Sequence, residues 1–330
     1  MLSRTPLLRA IALLAILALA TLGLTAPVDA QQAHPAKDPR RTRGLFVDPL
    51  MPAVKQGGAY RQRIGSKAQA FWVVPEAYPT RQVRAKVLAY AKRANAANKT
   101  PMVVIYGIPG RDCGQYSSGN PIRTATQYRT WVAQIAKALR KQRALVIVEP
   151  DALPLFSSPV ASCATKPAGW RGMLRSATKQ LSRSGAWVYL DAGHSNWTPY
   201  TTRAAELKRS GIAYARGFST NVSNFRTTAA EKRYAGALLR GLRTLKVRGK
   251  HYVIDTSRNG AAPSTDEVIN PTWARVGRAP RLVLEGSFDG TLWVKHPGES
   301  DGNANGGPSA GQWCDLLADR LLGRSGSGNC

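Results

Sequence analysis

Residues 102–151 read MVVIYGIPGRDCGQYSSGNPIRTATQYRTWVAQIAKALRKQRALVIVEPD and contain the strongest fold signal in the chain. Two apolar runs in this segment, at 102–106 and 144–148, have the length and the β-branched composition of strands that are buried on both faces. Between them, residues 125–140 form an amphipathic helical pattern. A strand, a helix and a second strand in this order predict two parallel strands joined by a right-handed crossover.

The alternation of strands and helices continues toward the C terminus. Further strands are predicted at 187–190, 217–220, 252–254, 281–284 and 291–294, and further helices at 172–184, 201–210 and 231–245. The length of 330 residues suits one large domain. An α/β chain of this size either closes its parallel sheet into a barrel or leaves it open and doubly wound.

Residues 1–30 have the pattern of a secretory signal. Arg4 and Arg9 give a positively charged start, an apolar stretch follows, and small residues form a cleavage site. An uncleaved membrane anchor is the alternative. We expect the protein to be secreted, with residues 31–43 as a basic flexible arm and residues 44–330 as a single catalytic domain.

The chain is strongly basic, with 47 Lys and Arg residues against 19 Asp and Glu residues and a net charge of +28. The basic residues are scattered and form no block or signature of a nucleic-acid-binding protein, so we do not expect nucleic acid as a partner. The charge instead favours association with anionic cell walls, membranes or acidic polysaccharides. No obligate protein partner is evident from the sequence.

Four cysteines follow the predicted signal: Cys113, Cys163, Cys314 and Cys330. An even number in a secreted chain suggests two disulfides, for which three pairings are possible. We favour the pairs Cys113–Cys163 and Cys314–Cys330, because each closes a loop of modest length. No CxxC pair occurs, and we expect neither a metal site nor a cofactor.

Polar residues follow several of the predicted strands directly. They include Asp112, Asp151, Asp191, Asn221, Asp255 and Lys295. In a parallel barrel these positions share the rim where active sites are built. Carboxylates at one rim suit acetal hydrolysis, in which one acid protonates the leaving oxygen and a base activates water, and Asp112, Asp151 and Asp301 are the candidates. No GxSxG, HExxH, P-loop or GxGxxG motif supports another chemistry.

Six segments resemble, in order, glycoside hydrolase family six, a family of cellulases that includes endoglucanases and cellobiohydrolases. They are residues 106–113 (YGIPGRDC), 148–151 (VEPD), 189–197 (YLDAGHSNW), 217–225 (GFSTNVSNF), 254–260 (IDTSRNG) and 293–302 (WVKHPGESDG). The resemblance runs from about residue 44 to residue 322. It implies a distorted (β/α) barrel with fewer than eight parallel strands, similar to a TIM barrel, and hydrolysis of β-1,4-glucan with inversion.

The resemblance also implies roles for individual residues. Asp151 would be the general acid, Asp112 the neighbouring carboxylate that raises its pKa and helps to position water, and Asp301 the candidate base. Tyr106 would favour a distorted sugar ring, and Ser118 would help to hold the water. The residues implied to bind substrate are Tyr106, Ser118, His194, Trp197, Asn221, Asn224, Trp273, Lys295 and Glu299.

Two positions depart from the family pattern. Relatives have two cysteines, joined by a disulfide, where this chain has Ala274 and Ala304. Because both cysteines are absent, we expect the loop that carries Asp301 to be more mobile, and we expect Cys314 and Cys330 to supply a replacement bridge.

The mode of cleavage is predicted from loop length. Only 40 residues separate Asp255 from Lys295, so the second loop over the cleft is short. An open cleft predicts an endoglucanase that cleaves internal β-1,4-glucosidic bonds. A cellobiohydrolase of the same family and a non-catalytic secreted protein that binds glucan or cell wall are the alternatives.

Structural roles remain open for the candidate acids. Asp151 could be a helix cap, Asp112 a salt-bridge partner of Arg111, and Asp301 a turn residue. Trp273 could belong to the core rather than form a stacking platform for sugar.

Overall fold

The strands predicted from the apolar runs lie side by side in one sheet. The computed structural model describes residues 38–158, 163–197, 200–326, 328 and 330. The predicted signal at 1–30 and residues 31–37 of the predicted arm lie outside this part of the chain. The described residues from Asp38 to Cys330 belong to one folded unit.

The sheet has eight strands within the described residues, in the order β1-β2-β3-β4-β5-β6-β8-β7. The strands are β1 (Phe71–Val73), β2 (Met102–Ile105), β3 (Leu145–Val148), β4 (Trp187–Asp191), β5 (Gly217–Thr220), β6 (His251–Asp255), β7 (Arg281–Glu285) and β8 (Phe288–Leu292). Neighbours pair in parallel from β1 to β6 and from β6 to β8. Seven strands are therefore parallel, and the prediction of fewer than eight is confirmed.

Helices connect the strands and cover the outside of the sheet. They are α1 (Pro52–Lys55), α2 (Gly58–Tyr60), α3 (Thr80–Ala96), α4 (Ala125–Leu139), α5 (Ala152–Ser157), α6 (Trp170–Arg183), α7 (Arg203–Arg209), α8 (Thr228–Thr244) and α9 (Asp315–Leu321). A π-helical turn (Arg61–Gly65) continues α2, and short 3-10 turns lie at Pro39–Arg41, Arg111–Gly114 and Ile212–Tyr214. Among these residues, no helix is long and apolar enough to span a membrane.

Side chains of alternate strand residues enter two different apolar layers, as the two-residue period of a strand requires. Val103 and Val146 pack outward against the helices, together with Trp131 of α4. Val104 and Ile147 face the barrel interior. The strands are buried on both sides, which explains why their sequences are continuously apolar rather than alternating.

The two ends of the sheet approach each other through β1 and the residue that follows β8. The Ala70 N–H donates a hydrogen bond to the Trp293 carbonyl (3.1 Å), and the Trp72 indole N–H donates to the Val294 carbonyl (2.7 Å). The sheet therefore curls into a distorted barrel, as expected.

The antiparallel pairing of β7 with β8 was not anticipated. Only Gly286 and Ser287 separate the two strands. A parallel connection needs a crossover of a dozen or more residues, so this short link can form only a hairpin.

Part of the predicted flexible arm is folded. The 3-10 turn Pro39–Arg41 places Arg40 in a buried position, where its guanidinium donates hydrogen bonds to the carbonyls of Ala144 (3.2 Å) and Gly185 (2.9 Å). The same group lies 4.4 Å from the ring centroid of Trp187. Arg40, in the segment predicted as a basic flexible arm, thus satisfies buried carbonyls at the base of the barrel.

Both favoured disulfides are present. Cys113 pairs with Cys163, with Cα atoms 5.1 Å apart, and Cys314 pairs with Cys330, with Cα atoms 4.3 Å apart. The first bridge fixes the loop after β2 to the loop after α5. The second fixes the C terminus to the start of α9.

Candidate active site

The carboxylates that follow the strands lie at one rim of the barrel. Asp151 follows β3, Asp191 ends β4 and Asp255 ends β6. Asp112 lies in the 3-10 turn after β2, and Asp301 lies in the loop after β8. Parallel strands bring all of these residues to the same end of the sheet, as the sequence predicted.

Asp151 has a left-handed backbone (φ 66°) directly before α5, and its side chain makes no capping hydrogen bond. Its carboxylate has no hydrogen-bond or ion-pair partner among the described residues. The reading of Asp151 as a helix cap therefore has no support. Burial is the largest cause that raises the pKa of Asp151 well above its usual value, and the negative charges of Asp191 and Asp112 raise it further.

Asp191 fixes the backbone of Asp151. Its Oδ2 accepts hydrogen bonds from the N–H of Asp151 (3.0 Å) and of Gly193 (3.1 Å), and its Oδ1 accepts one from the Ser219 hydroxyl (3.0 Å). Burial raises the pKa of Asp191 to about 7, although these hydrogen bonds oppose the shift.

Asp112 also has a left-handed backbone, with φ 58°, and it precedes the bridged Cys113. Its Oδ2 accepts a hydrogen bond from the Ser117 N–H at 2.6 Å. Burial raises the pKa of Asp112, while this hydrogen bond and the charge of Arg111 oppose the shift. The strand end and the disulfide thus fix Asp112 from both sides.

Arg111 is not an ion-pair partner of Asp112. Its guanidinium pairs with Glu76 and donates hydrogen bonds to the carbonyls of Tyr106 (2.6 Å), Ser117 (2.7 Å) and Gly119 (2.8 Å). The alternative in which Asp112 serves only as a salt-bridge partner therefore fails.

Asp301 has the opposite electrostatic environment to Asp151. Its carboxylate pairs with Arg258 (2.6 Å) and Lys295 (3.2 Å). Burial acts to raise the pKa of Asp301, but the two cations outweigh burial and lower it. The pKa values of Asp151 and Asp301 are therefore shifted in opposite directions, and Asp151 holds its proton to higher pH than Asp301 does.

The loop that carries Asp301 is held by a buried amide. Asn270 donates from Nδ2 to the carbonyls of Gly302 (2.7 Å) and Ala304 (2.9 Å) and to the Ser300 hydroxyl (3.2 Å). Its Oδ1 accepts a hydrogen bond from the Asp301 N–H (2.8 Å). The amide of Asn270 therefore forms a polar clip on the Asp301 loop, which the sequence analysis did not anticipate when it predicted a more mobile loop.

Tyr106 and Trp72 form the apolar side of the site. Their rings meet edge to face with centroids 5.6 Å apart, and the Arg111 guanidinium lies 4.7 Å from the Tyr106 centroid. Burial raises the pKa of Tyr106 well above its usual value, and the charges of Asp112 and Asp151 add to the shift. The Tyr106 ring thus borders the same rim as these carboxylates.

His194 and Trp197 lie together after β4, with ring centroids 5.1 Å apart. His194 Nδ1 is buried and has no hydrogen-bond partner. Burial and the nearby charges of Arg226 and Arg203 lower the pKa of His194 to about 3. The imidazole is therefore neutral at physiological pH. Ser118 is half-buried in the loop after Asp112.

Lys295 and Glu299 are tied to protein groups. The Lys295 ammonium donates a hydrogen bond to the Ser300 carbonyl (3.0 Å) besides its pairing with Asp301. Glu299 pairs with His296 at 2.7 Å, which lowers the pKa of Glu299 against the effect of burial. Both side chains help to fix the loop after β8.

The asparagines proposed to bind substrate have structural contacts instead. Asn221 is fully buried; its Nδ2 donates to the carbonyls of Asp255 (2.9 Å) and Arg226 (3.2 Å), and its Oδ1 accepts from the Arg226 N–H (2.9 Å). These hydrogen bonds tie the end of β6 to the loop after β5. Asn224 donates to the Val222 carbonyl (2.9 Å).

Trp273 packs edge to face against Phe225, with centroids 5.6 Å apart, and its indole N–H donates to the Thr265 hydroxyl (3.0 Å). It is only partly buried, so one face remains accessible. No group of three or more His, Cys, Asp and Glu side chains in the described ranges is arranged to hold a metal ion.

Sequence reasoning missed several residues that shape the site. Besides Arg258 and Asn270, Glu149 is buried and accepts hydrogen bonds from the N–H groups of Gly107 and Ile108 (3.0 Å each) and from the Tyr128 hydroxyl (2.9 Å). Glu149 thereby joins β3 to the loop that leads to Asp112. Its position beside Asp151 in the VEPD segment was the available signal.

Comparison with known sequences places this geometry in a family. A sequence profile of Glycosyl hydrolases family 6 matches residues 50–325. The chain is 41% identical to Endoglucanase A of Cellulomonas fimi over 289 residues, which is 85% of this chain and 61% of that protein. It is 33% identical to Endoglucanase 1 of Streptomyces halstedii over 307 residues, which is 89% of this chain and 92% of that protein.

A third relative, Endoglucanase A of Thermobispora bispora, is 35% identical over 87% of this chain and 64% of its own length. The chain thus spans less than two thirds of the Cellulomonas and Thermobispora proteins. Its fold is similar to that of the endoglucanase Cel6 from Mycobacterium tuberculosis, with a TM-score of 0.77 and 37% identity over 87% of this chain and 98% of that chain. From the ordered motifs, the barrel and these matches, the chain belongs to glycosyl hydrolases family 6.

Proposed function

We propose that the protein is an endo-β-1,4-glucanase that hydrolyses internal glucosidic bonds of cellulose or a related β-glucan with inversion. One observation carries the proposal: two carboxylates at the same rim have opposite shifts of their pKa. Asp151 is shifted upward and Asp301 downward. A pair of titratable groups whose environments separate their pKa values supplies an acid and a base at the same pH.

In the first half of the reaction, protonated Asp151 donates its proton to the glycosidic oxygen as the bond from that oxygen to the anomeric carbon breaks. Asp191 and Asp112 keep Asp151 protonated by placing negative charge beside it. The Tyr106 ring and the neighbouring Trp72 provide a rigid wall against which a sugar ring can be distorted.

In the second half, a water oxygen attacks the anomeric carbon from the opposite face, and Asp301 accepts the water proton. Asp112 and Ser118 help to place that water. A carboxylate with a lowered pKa is a weak base, but the oxocarbenium-like transition state demands little deprotonation of the nucleophile. The product has the α configuration, and proton exchange with solvent restores both carboxyl groups.

Sugar binding on the leaving-group side falls to His194 and Trp197, whose rings lie in contact at an interplanar angle of 38°. Trp273 is the candidate platform on the other side. On that same side, Lys295 and Glu299 hold the loop after β8 in place. Their remaining donor and acceptor positions can form hydrogen bonds with the substrate.

The general acid is tested with Asp151→Asn and with Asp266→Asn as the matched control, because Asp266 is an exposed carboxylate outside the site. Loss of a general acid costs about 10²–10⁴ in rate. The loss should be much smaller with a dinitrophenyl cellobioside, whose leaving group needs no proton. Equal losses on both substrates would refute the role of Asp151 as proton donor.

The base is tested with Asp301→Ala in the presence of azide. The cations of Arg258 and Lys295 remain in this variant and should bind the anion in the vacated space. We expect partial recovery of turnover and an α-glucosyl azide product. NMR of the wild-type reaction should show the α anomer first, and early β anomer would overturn the inverting mechanism.

The endo mode is supported by the short segment between Asp255 and Lys295, most of which forms turns and the β7–β8 hairpin. The viscosity of a soluble cellulose derivative should fall faster than reducing ends appear. Release of cellobiose alone, with viscosity and reducing ends changing in parallel, would show exo action instead.

Secretion is part of the same proposal. The two disulfides support it, because such bridges persist in oxidising compartments. N-terminal sequencing of the protein from culture medium should find a start close to residue 31. Recovery of the full chain from the membrane fraction would support the uncleaved anchor.

A further inference from the structure

Acidic residues are almost absent from one third of the chain. Residues 77–190 contain eighteen Lys and Arg residues but only three acidic residues, Asp112, Glu149 and Asp151. All three acids belong to the active-site rim. The outer surface formed by this segment is therefore strongly cationic, and the acids that pair with its Arg93 and Arg171 come from other parts of the chain, namely Asp48 and Glu206.

Three neighbouring helices form this surface. None of α3, α4 and α6 contains an Asp or Glu residue, and α4 packs against both of the others. Binding of a neutral glucan in the catalytic cleft does not explain why Asp and Glu are absent from helices on the outer side of the sheet. Net charge for solubility alone would not require the complete exclusion of acids from three adjacent helices.

An open groove of about 210 Å³ lies between α4 and α6 in the middle of this surface. Its lining residues are Ala133, Ala136, Lys137, Arg140, Gln180, Arg183 and Ser184. The small side chains of Ala133 and Ala136 leave the groove open, and Lys137, Arg140 and Arg183 supply its positive charge. The groove is at the C-terminal ends of both helices, which in this fold point away from the catalytic rim.

The three cations of the groove are free for a ligand. Lys137, Arg140 and Arg183 are exposed, and no ion pair among the described residues includes them. Elsewhere the protein pairs its cations where an acid is near, as Glu206 does with Arg171 and Arg209. The groove is therefore a site of concentrated, uncompensated positive charge.

The lining selects the chemistry of the ligand. No aromatic side chain lines the groove, so neither the stacked face of a neutral sugar nor a nucleic-acid base finds a platform there. No large apolar side chain is present to insert into a lipid bilayer. The guanidinium groups match planar carboxylates in two-point hydrogen bonding, and the Gln180 amide can bind hydroxyl groups.

We propose that the α4–α6 groove, with Lys137, Arg140 and Arg183, is a docking site for a carboxylated polysaccharide, a polyuronate, that is distinct from the catalytic cleft. The interaction retains the enzyme on acidic polysaccharide that is mixed with β-glucan, while the rim stays free for hydrolysis. The site goes beyond the proposed hydrolytic function and does not depend on it.

The test measures binding of the full mature protein to immobilised polygalacturonate at 50 and 200 mM salt. The groove variant is Lys137→Gln/Arg140→Gln/Arg183→Gln. The matched control is Arg233→Gln/Arg240→Gln/Arg243→Gln, which removes three exposed cations from α8. We expect the groove variant to bind at least tenfold more weakly, and the control to stay within twofold of wild type.

Two further results support the proposal: methyl-esterified polygalacturonate, which lacks the charges, should not bind, and both variants should hydrolyse a soluble glucan at the wild-type rate. Equal weakening of both variants would overturn the site, since it would show that net charge alone drives retention. Tighter binding of duplex DNA or of phosphatidylglycerol vesicles than of polygalacturonate, lost in the groove variant, would overturn the assignment of the partner.

Discussion

Asn270 offers a sharp test of how this chain positions Asp301, the proposed base. Asn270→Ala removes four hydrogen bonds: three from Nδ2 to the Asp301 loop and one from the Asp301 N–H to Oδ1. The carbonyls of Gly302 and Ala304 keep other donors, namely the N–H groups of Ala304 and Gly307. The Asp301 N–H loses its partner.

The magnitude follows from these contacts. A net hydrogen bond contributes about 1 kcal/mol, and an orphaned buried group costs about 1–3 kcal/mol. We therefore expect the loop to lose about 2–4 kcal/mol of local stability. If the Asp301 carboxylate must sit in the observed position for turnover and the whole loss reaches the transition state, kcat should fall about 30–700-fold, because about 1.4 kcal/mol is tenfold in rate.

The assay compares kcat and KM on cellopentaose with amide hydrogen exchange of residues 300–304. The rescue variant is Asn270→Ala/Ala274→Cys/Ala304→Cys, which tests whether the family's covalent bridge can replace the polar clip. Faster exchange together with normal kcat would refute the reasoning, since it would show that a loosened Asp301 loop still supports catalysis.

Three further predictions concern pH and stability. The alkaline limb of kcat/KM should follow Asp151, and Asp112→Asn should move that limb to lower pH, because removing a negative charge lowers the pKa of Asp151; an unmoved limb would show that another group sets it. Burial raises the pKa of Glu149 to about 7 in the folded state, whereas a glutamate in the unfolded chain has a pKa of about 4.3. Between these two pH values, the folded state therefore binds a proton that the unfolded state lacks. The contribution of Glu149 to stability therefore declines as pH rises from about 4.3 to about 7. In urea titrations, the unfolding free energy of Glu149→Gln should rise relative to that of wild type between pH 4 and pH 7. A difference that stays constant over this range would contradict the reasoning. Cys113→Ser/Cys163→Ser opens a loop with a sequence separation of 50, and on the chain-entropy model this should lower the unfolding free energy by about 4 kcal/mol. The variant should also have a lower kcat, because the bridge adjoins Asp112. An unchanged kcat below the melting temperature would show that the bridge does not position this carboxylate.

The parallel part of the fold could be predicted from the sequence, because strands buried on both faces, such as β2 and β3, are continuously apolar. β1 escaped notice because it has only three residues. The antiparallel β7 could have been recognised from the two-residue link to β8. The folded turn at Arg40 could not, because its stability comes from carbonyls more than a hundred residues away.

The candidate acids were identifiable because each follows a strand or lies in a recognisable segment. Their protonation preferences were not, since these depend on which charges the fold brings together. Asp301 is separated from Arg258 by 43 residues in sequence. The clip by Asn270 was equally hidden, because an asparagine in a polar loop has no sequence pattern that reveals its partners. The buried amide of Asn221 is a further case, since its hydrogen bonds to Asp255 and Arg226 could not be read from the motif that contains it.

The left-handed backbone at Asp112, Glu149 and Asp151 has a consequence for how this enzyme could be improved. Non-glycine residues pay a conformational penalty in this region, and here the penalty coincides with buried like charges. Thermal stability and turnover therefore compete at Asp151, whose carboxyl group has no hydrogen-bond partner among the described residues, so a glycine or neutral substitution there should stabilise the barrel and abolish catalysis. At Glu149 a glycine would instead leave the buried donors of Gly107, Ile108 and Tyr128 unpaired. Substitutions that raise thermal stability should therefore be made in the outer helices and the β7–β8 hairpin, and the strained backbone and buried charges of the rim should be left unchanged.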